Sequence, residues 1–239
     1  MEFIGFTYVT NFLENTLKEA MFEVVDEANR LLKDWDLGVR FLYLDTLTLE
    51  PGYLINVKTP GETVRLYPLE VLIDFLDYRL KVEMERDDGL VMNKILGLIS
   101  FPLASRNKYL DFYESFLGFE TERLGRKIMV LSMKPFESDA LRMALRALES
   151  PHIDQDVKLL AKRVLSRELE TFKRRLLKGI LHEVGHAFGL EHCSGYCVMN
   201  SPATMEMWDT RPAFFCDSCM KKLKKSLAPS PAPRQPGGV

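Results

Sequence analysis

Apolar and polar residues follow two periods along this chain. Residues 3–9 form an apolar run rich in aromatic and β-branched side chains and read as a strand. Over 11–35, Leu13, Leu17, Phe22, Val24, Val25, Ala28, Leu31 and Leu32 recur at helical spacing, while acids and lysines fill the other face. Gly38 lies just past that helix. A second strand is predicted over 39–49, a turn at Glu50-Pro51-Gly52, and a returning hairpin partner over 53–58. Pro60-Gly61 makes another break. Residues 68–82 look helical, with Leu69, Leu72, Ile73, Leu76 and Leu80 on one face. Residues 91–101 read as a buried strand closed by Pro102, and two apolar runs at 113–120 and 127–133 flank Gly125 as a hairpin. A helix over 137–148 is stopped by Ser150-Pro151. Asp154 or Asp156 then caps a long helical pattern reaching about residue 190, with a break expected near Gly179. The sequence of residues 228–239, APSPAPRQPGGV, has almost no apolar mass and reads as a disordered tail. Strands and helices alternate early and helices dominate late, so the fold class is α/β or α+β. One domain over 1–227 is expected, with a sheet-and-helix part at 1–190 and a small cysteine-containing part at 191–227.

Composition narrows the class of function. With 239 residues, 46% of them hydrophobic, the chain can bury a substantial core. A net charge of -2 points away from a nucleic-acid binder. No basic and apolar leader opens the sequence, and no apolar run approaches the roughly 18–20 residues of a membrane helix. A cytoplasmic protein is expected, without membrane or nucleic-acid partners and without a long pro-segment. In that compartment cysteines are reduced thiols or metal ligands rather than disulfides.

The chain has 4 Cys and 4 His, and all of them except His152 fall within residues 182–219. His182, Glu183 and His186 spell H-E-x-x-H. On a helix, positions i and i+4 share one face, so both imidazoles can reach one zinc ion. Glu183 then lies beside the open metal position, where it can hold and deprotonate a bound water. Such a motif alone arises by chance in roughly one such chain in two hundred. The continuation, with Gly189 and then His192 at intervals of three, makes coincidence far less tenable. A glycine can take the left-handed conformation that ends a helix, and the turn would return His192 as a third ligand. Three histidines leave a fourth position for water, the mark of a catalytic zinc. Cys193 and Cys197, then Cys216 and Cys219, make two short pairs 18 residues apart. That spacing suits a closed, structural four-cysteine zinc site. Two zinc ions per chain are therefore expected.

These residues resemble the archaemetzincins, within the metzincin clan of zinc metallopeptidases. The likeness rests on H-E-x-x-H-x-x-G-x-x-H, the cysteine that follows it at once, Cys197-Val198-Met199 and the distal C-x-x-C. The spacing between the first two cysteines is one residue shorter than is usual for that family. The resemblance implies a metzincin-like fold: a twisted, mixed, mainly parallel sheet, an active-site helix below it, and a small C-terminal subdomain built on the four-cysteine site. It makes Met199 the Met-turn residue beneath the zinc histidines. It also implies an edge strand that pairs with an extended peptide, for which 113–120 is the candidate.

The leading expectation is a monomeric zinc metallopeptidase, aminopeptidase-like on short peptides, whose partners are peptide or protein substrates. One alternative is a catalytically silent zinc-scaffold binding protein, against which the intact Glu183 argues. The other is a four-cysteine module contacting nucleic acid through Lys221, Lys222, Lys224 and Lys225. Those lysines read better as the solvated face of a short helix with Leu223 and Leu227 packed inward. Tyr196 is read as packing.

Overall fold

The computed structural model describes residues 1–11, 17–59, 62–86, 92–101, 103–104, 118–201 and 204–228. In chain order the elements are β1 (Glu2–Asn11), α1 (Lys18–Asp34), β2 (Val39–Leu49), β3 (Ile55–Thr59), β4 (Glu62–Pro68), α2 (Leu69–Met84), β5 (Met92–Ile99), β6 (Leu103–Ala104), β7 (Gly118–Arg123), β8 (Arg126–Ser132), α3 (Asp139–Glu149), α4 (Gln155–Ala187), α5 (Met205–Thr210) and α6 (Asp217–Leu227). The main sheet has the order β2-β1-β5-β8-β7. Its first four strands are parallel, and β7 runs antiparallel to β8 at the edge.

A central parallel sheet covered on both faces explains why its strands read as continuous apolar runs. Along β5, Leu96 and Leu98 enter one buried cluster while Ile95 and Ile99 enter another. Along β8, Met129 and Leu131 face the first cluster, and Ile128 and Val130 the second. The first cluster is filled by α1, α4 and the C-terminal segments. Met21, Val24, Val25, Ala28 and Leu32 come from α1, Phe172, Leu176 and Ile180 from α4, and Trp208, Phe215 and Leu223 from the C-terminal part. The second cluster is closed by Leu69, Leu72, Ile73, Leu76 and Leu80 of α2. Helices therefore lie on both sides of a mixed sheet, and one apolar cluster joins that sheet to the cysteine-bearing end.

Several sequence expectations are met and others are corrected. The 53–58 run does form a strand, but β3 pairs antiparallel with β4 and not with β2. The reason is local. Pro51–Tyr53 form a single 3-10 turn flanked by extended Glu50 and Leu54, which carries the chain away from β2 instead of folding it back. Strand β4 has no counterpart among the expected elements; it joins β3 and β6 in a separate small sheet. Helix α4 runs unbroken through Gly179, which serves close packing: a Cβ there would lie 3.0 Å from Leu131 Cδ2. Asp154 is its cap, accepting from the Asp156 N–H at 2.8 Å. The hairpin around Gly125 forms as β7 and β8. Of the 113–120 run only 118–120 lie among the described residues, and these open the edge strand β7. The tail after Ala228 lies outside the described residues. Leu223 is buried on α6, Leu227 is partly so, and the four lysines are exposed. No helix of the described residues is long and apolar enough to cross a membrane.

Phe172, fully buried at the centre of α4, joins the sheet cluster to the site-bearing part of that helix. Phe172→Ala is expected to cost about 3–5 kcal/mol of unfolding free energy. Urea denaturation measures this, and a loss below about 1 kcal/mol would mean that the cluster does not hold α4 in place.

Candidate active site

The last turns of α4 are buried because the helix passes under the sheet, and this buries His182 and Glu183 with it. The His182 Nδ1–H donates to Val198 O at 2.9 Å, and the His186 Nδ1–H donates to Leu190 O at 2.8 Å. A carbonyl can only accept, so these bonds fix the tautomer of both rings and leave each Nε2 as a bare lone pair. The two Nε2 atoms face each other 3.0 Å apart. Burial drives the His182 pKa down to about 3 and lowers that of His186, so both rings are neutral at physiological pH.

His192 completes the group from the turn beyond the helix. Helix α4 ends at Ala187 and is capped by Phe188. Gly189 then takes φ +82°, the Gly189 N–H donates to His186 O at 2.9 Å, and the Leu190 N–H donates to Gly185 O at 2.9 Å. This pair of bonds around a left-handed glycine is the Schellman helix end. The His192 ring centre comes to 5.3 Å from that of His182 and 5.0 Å from that of His186. One nitrogen from each of the three imidazoles lies within 4.8 Å of the other two. Two facing lone pairs repel unless a cation lies between them, and neutral imidazoles are the form that binds one. The donor set therefore fits zinc.

Met199 is fully buried against α4 at Gly185, between His182 and His186 in the sequence. Its Sδ packs so close to α4 that a Cβ on Gly185 would lie 2.2 Å from it. The Cys193 N–H donates to Met199 O at 2.9 Å, and the Val198 N–H to Phe214 O at 2.8 Å. These bonds tie the histidine-bearing turn to the cysteine segment.

The four cysteines also converge. All are free thiols, their sulfurs lie within 4.8 Å of one another, and Cys193 Sγ is 3.9 Å from Cys216 Sγ. A disulfide needs about 2.05 Å. Sulfurs held about 2.3 Å from a tetrahedral zinc sit roughly 3.8 Å apart. Backbone N–H groups also point at the sulfurs: Gly195 N–H at Cys193 Sγ (3.4 Å), and Met199 N–H and Cys216 N–H at Cys197 Sγ (3.4 and 3.2 Å). Donors of this kind stabilise thiolates. The Cys219 backbone N–H brings the Cys216 thiol down to about 7, whereas burial pushes Cys219 up. The geometry fits a closed tetrahedral metal site.

Glu183 is buried, and its pKa is raised to about 8, first by burial and then by the nearby Glu120 carboxylate. Its carboxylate reaches the edge strand, where a Cβ on Gly118 would lie 2.3 Å from Glu183 Oε1. Only a glycine permits that approach. Lys127 of β8 ion-pairs with Glu120 at 3.0 Å and donates to His186 O at 3.2 Å, linking the sheet edge to the helix end.

Sequence reasoning missed Gly118, Glu120 and Lys127, and also a group on the other side of the site. Helix α5 is bound to α4 by Arg175, which grips Asp209 with two bonds, and by Lys178, which donates to Trp208 O and Asp209 O. Trp208 lies with its ring centre 6.3 Å from that of His182, and the Arg211 guanidinium stacks on it at 3.3 Å. Burial lowers the Arg211 pKa to about 9, which leaves it cationic at neutral pH. Nothing in their spacing marks these residues, because they meet only through folding. Tyr196 is exposed against Phe214, and His152 is exposed in a turn outside both clusters.

The profile of Peptidase family M54 matches residues 1–148 and 152–225. Archaemetzincin from Archaeoglobus fulgidus is 36% identical over 62 residues, covering 26% of this chain and 39% of that protein. Archaemetzincin from Pyrococcus horikoshii is 44% identical over 59 residues, covering 24% of this chain and 31% of that protein. These alignments thus span less than two fifths of either relative's own length. Among solved structures, archaemetzincin from Methanopyrus kandleri superposes with TM-score 0.54 at 20% identity, covering 94% of this chain and 95% of the other. A zinc-dependent peptidase from Methanocorpusculum labreanum gives TM-score 0.58 at 17% identity, covering 91% and 99%. The mixed sheet and its helices are thus arranged as in those folds. The chain belongs to Peptidase family M54, the archaemetzincin family.

The buried proton of Glu183 has a measurable consequence in the metal-free protein. Its folded pKa of about 8 lies above its ordinary 4.5, so its stabilising contribution is complete below pH 4.5 and is lost as pH rises towards 8. His182, at about 3 against 6.5, contributes in the opposite sense, losing its part as pH falls from 6.5 towards 3. After chelation, wild type should therefore lose stability relative to Glu183→Gln between pH 6.5 and 8. Urea unfolding of both proteins across that window checks this, and a constant difference would refute the buried proton.

Proposed function

We propose that this chain is a zinc-dependent metallopeptidase that hydrolyses peptide bonds, with His182, His186 and His192 holding the catalytic zinc. The observation that carries this reading is the pair of unprotonated, facing Nε2 atoms beside the buried carboxyl of Glu183. When bound, zinc supplies Lewis acidity, which polarises a carbonyl and acidifies water. The chain's own residues supply the rest. Val198 O and Leu190 O hold the two helix histidines in the ligating tautomer. In its ionised form, which a neighbouring zinc cation would favour, Glu183 would take the proton of the attacking water and pass it to the departing amine. A carboxyl whose pKa lies near neutrality can do both. Met199 forms the apolar floor. Gly118 puts no side chain of its own against Glu183, and the outer edge of β7 offers backbone groups to an extended peptide by strand addition.

Cys193, Cys197, Cys216 and Cys219 are assigned a second, structural zinc that does no chemistry. Short peptides, cleaved in an aminopeptidase-like way, are the expected substrates of a monomeric cytoplasmic protein. Residues 1–227 are read as one catalytic unit.

The test joins metal content to turnover. Purified protein should contain two zinc ions per chain, and Glu183→Ala should keep both while losing cleavage of a peptide library by at least about a thousandfold. Replacing the four cysteines with serine should remove one zinc. Full activity in Glu183→Ala, or a single zinc that survives loss of the cysteines, would overturn the assignments.

A further inference from the structure

Arg211 is only 6% exposed, yet most of its hydrogen-bonding capacity is unmet among the described residues. Its Nη1 donates to Asn200 O and its face lies on Trp208. Its Nε and Nη2 are buried and find no acceptor among the described residues. A buried cation with unmet donors is costly unless something anionic completes it.

The unmet pair has a specific shape. Nε and Nη2 form the side of a guanidinium that receives both oxygens of one carboxylate. Two other arginines of this chain use that same pair. Arg126 holds Asp77 at 2.7 and 3.0 Å, and Arg175 holds Asp209 at 2.7 and 2.6 Å. Arg211 presents the fork without the aspartate. The two acidic groups that interact with it from within the chain are otherwise engaged. Glu183 makes no hydrogen bond to it and reaches Gly118 of the edge strand. Cys197 already accepts two backbone N–H bonds and sits in the four-sulfur cluster. Arg211 also lies within electrostatic reach of His182 and Glu183, and the ring it stacks on is a neighbour of His182.

We infer that Arg211 is a specificity residue that binds a carboxylate of the peptide held at the site. This inference rests on the peptidase reading above. The carboxylate belongs either to an acidic side chain or to the free C-terminus of the substrate. The fork is the same for both, and its place beside His182 sets that carboxylate close to the cleaved bond.

The experiment uses the zinc-loaded protein and matched peptides. Each pair differs only by Glu against Gln at one position, or by a C-terminal acid against its amide. One of these contrasts should favour the acid by about tenfold or more in kcat/KM, mainly through KM, as expected for a charge-assisted bidentate pair. A Glu–Gln contrast identifies the side chain as the ligand, and an acid–amide contrast identifies the C-terminus. Arg211→Lys keeps the charge but not the fork and should remove most of the contrast. The wild-type contrasts need no variant, so a folding defect in Arg211→Lys leaves the test intact. Binding constants for the same peptides with zinc-loaded Glu183→Gln read the contrast without turnover. Equal handling of acid and neutral partners in both measurements would overturn the inference, as would a contrast that persists in folded Arg211→Lys. Failure of the peptidase reading looks different: no library peptide is cleaved, while the binding contrast is still measured.

Discussion

Helix α4 can put two histidines on one face, but a third imidazole can join them only if the helix stops within a turn of His186 and the chain doubles back. The stop at Phe188 and the left-handed Gly189 meet that requirement, and the hydrogen bonds of the turn do a second job. The carbonyl that accepts from His186 Nδ1 belongs to Leu190, the residue whose own N–H closes the helix end on Gly185. Helix termination, ring orientation and delivery of His192 are therefore one event. Any side chain at 189 would be strained at that φ, and the strain would be felt at two histidine rings of the cluster and not only in a loop.

The cysteine segment holds the other side of the same turn. Val198 O orients His182, while the Val198 N–H is fixed by Phe214 O, two residues before Cys216. Cys193 directly follows His192, and its N–H is held by Met199 O. Closing the four sulfurs together thus fixes the carbonyl that sets one histidine's tautomer and the turn that carries another. The Trp35 ring meets Phe215 edge-on at 5.7 Å, which ties the same segment back to the end of α1. The cysteine cluster supports the histidine group through backbone atoms, so its contribution is positional.

What could be read from the sequence follows from how local each cause is. Helix stripes such as Leu69, Leu72, Ile73, Leu76 and Leu80, the cap at Asp154, and the metal-ligand spacing from His182 to Cys219 are all set by neighbours a few residues apart. The small sheet was not legible because β4 is defined by its partners β3 and β6, and β-pairing is a long-range property. The hairpin misassigned to β2 and β3 failed for the same reason, since a Pro-Gly turn signals a change of direction but not which strand is met next. Gly118, Glu120 and Lys127 reach the site from the sheet edge, some sixty residues before the histidines, and Arg211 reaches it across α5. No pattern in their own surroundings marks them.

Buried charge explains why those unmarked residues gather where they do. Interiors disfavour ions, and each ion near α4 is handled differently. Lys178 gives its ammonium to two carbonyls at the end of α5. In the metal-free chain Glu183 escapes the cost by keeping a proton, helped by Glu120, while Lys127 pairs with Glu120. Arg211 cannot shed its charge at neutral pH, and only one of its three nitrogens is satisfied. A structural role would have favoured an apolar side chain of similar volume stacked on Trp208, because replacing buried ions with well-packed apolar groups is often neutral or stabilising. Cation, proton-holding carboxyl and facing imidazole lone pairs are all unfavourable for stability alone. Their coincidence around the end of one helix is what the proposed peptide-hydrolysing site would require.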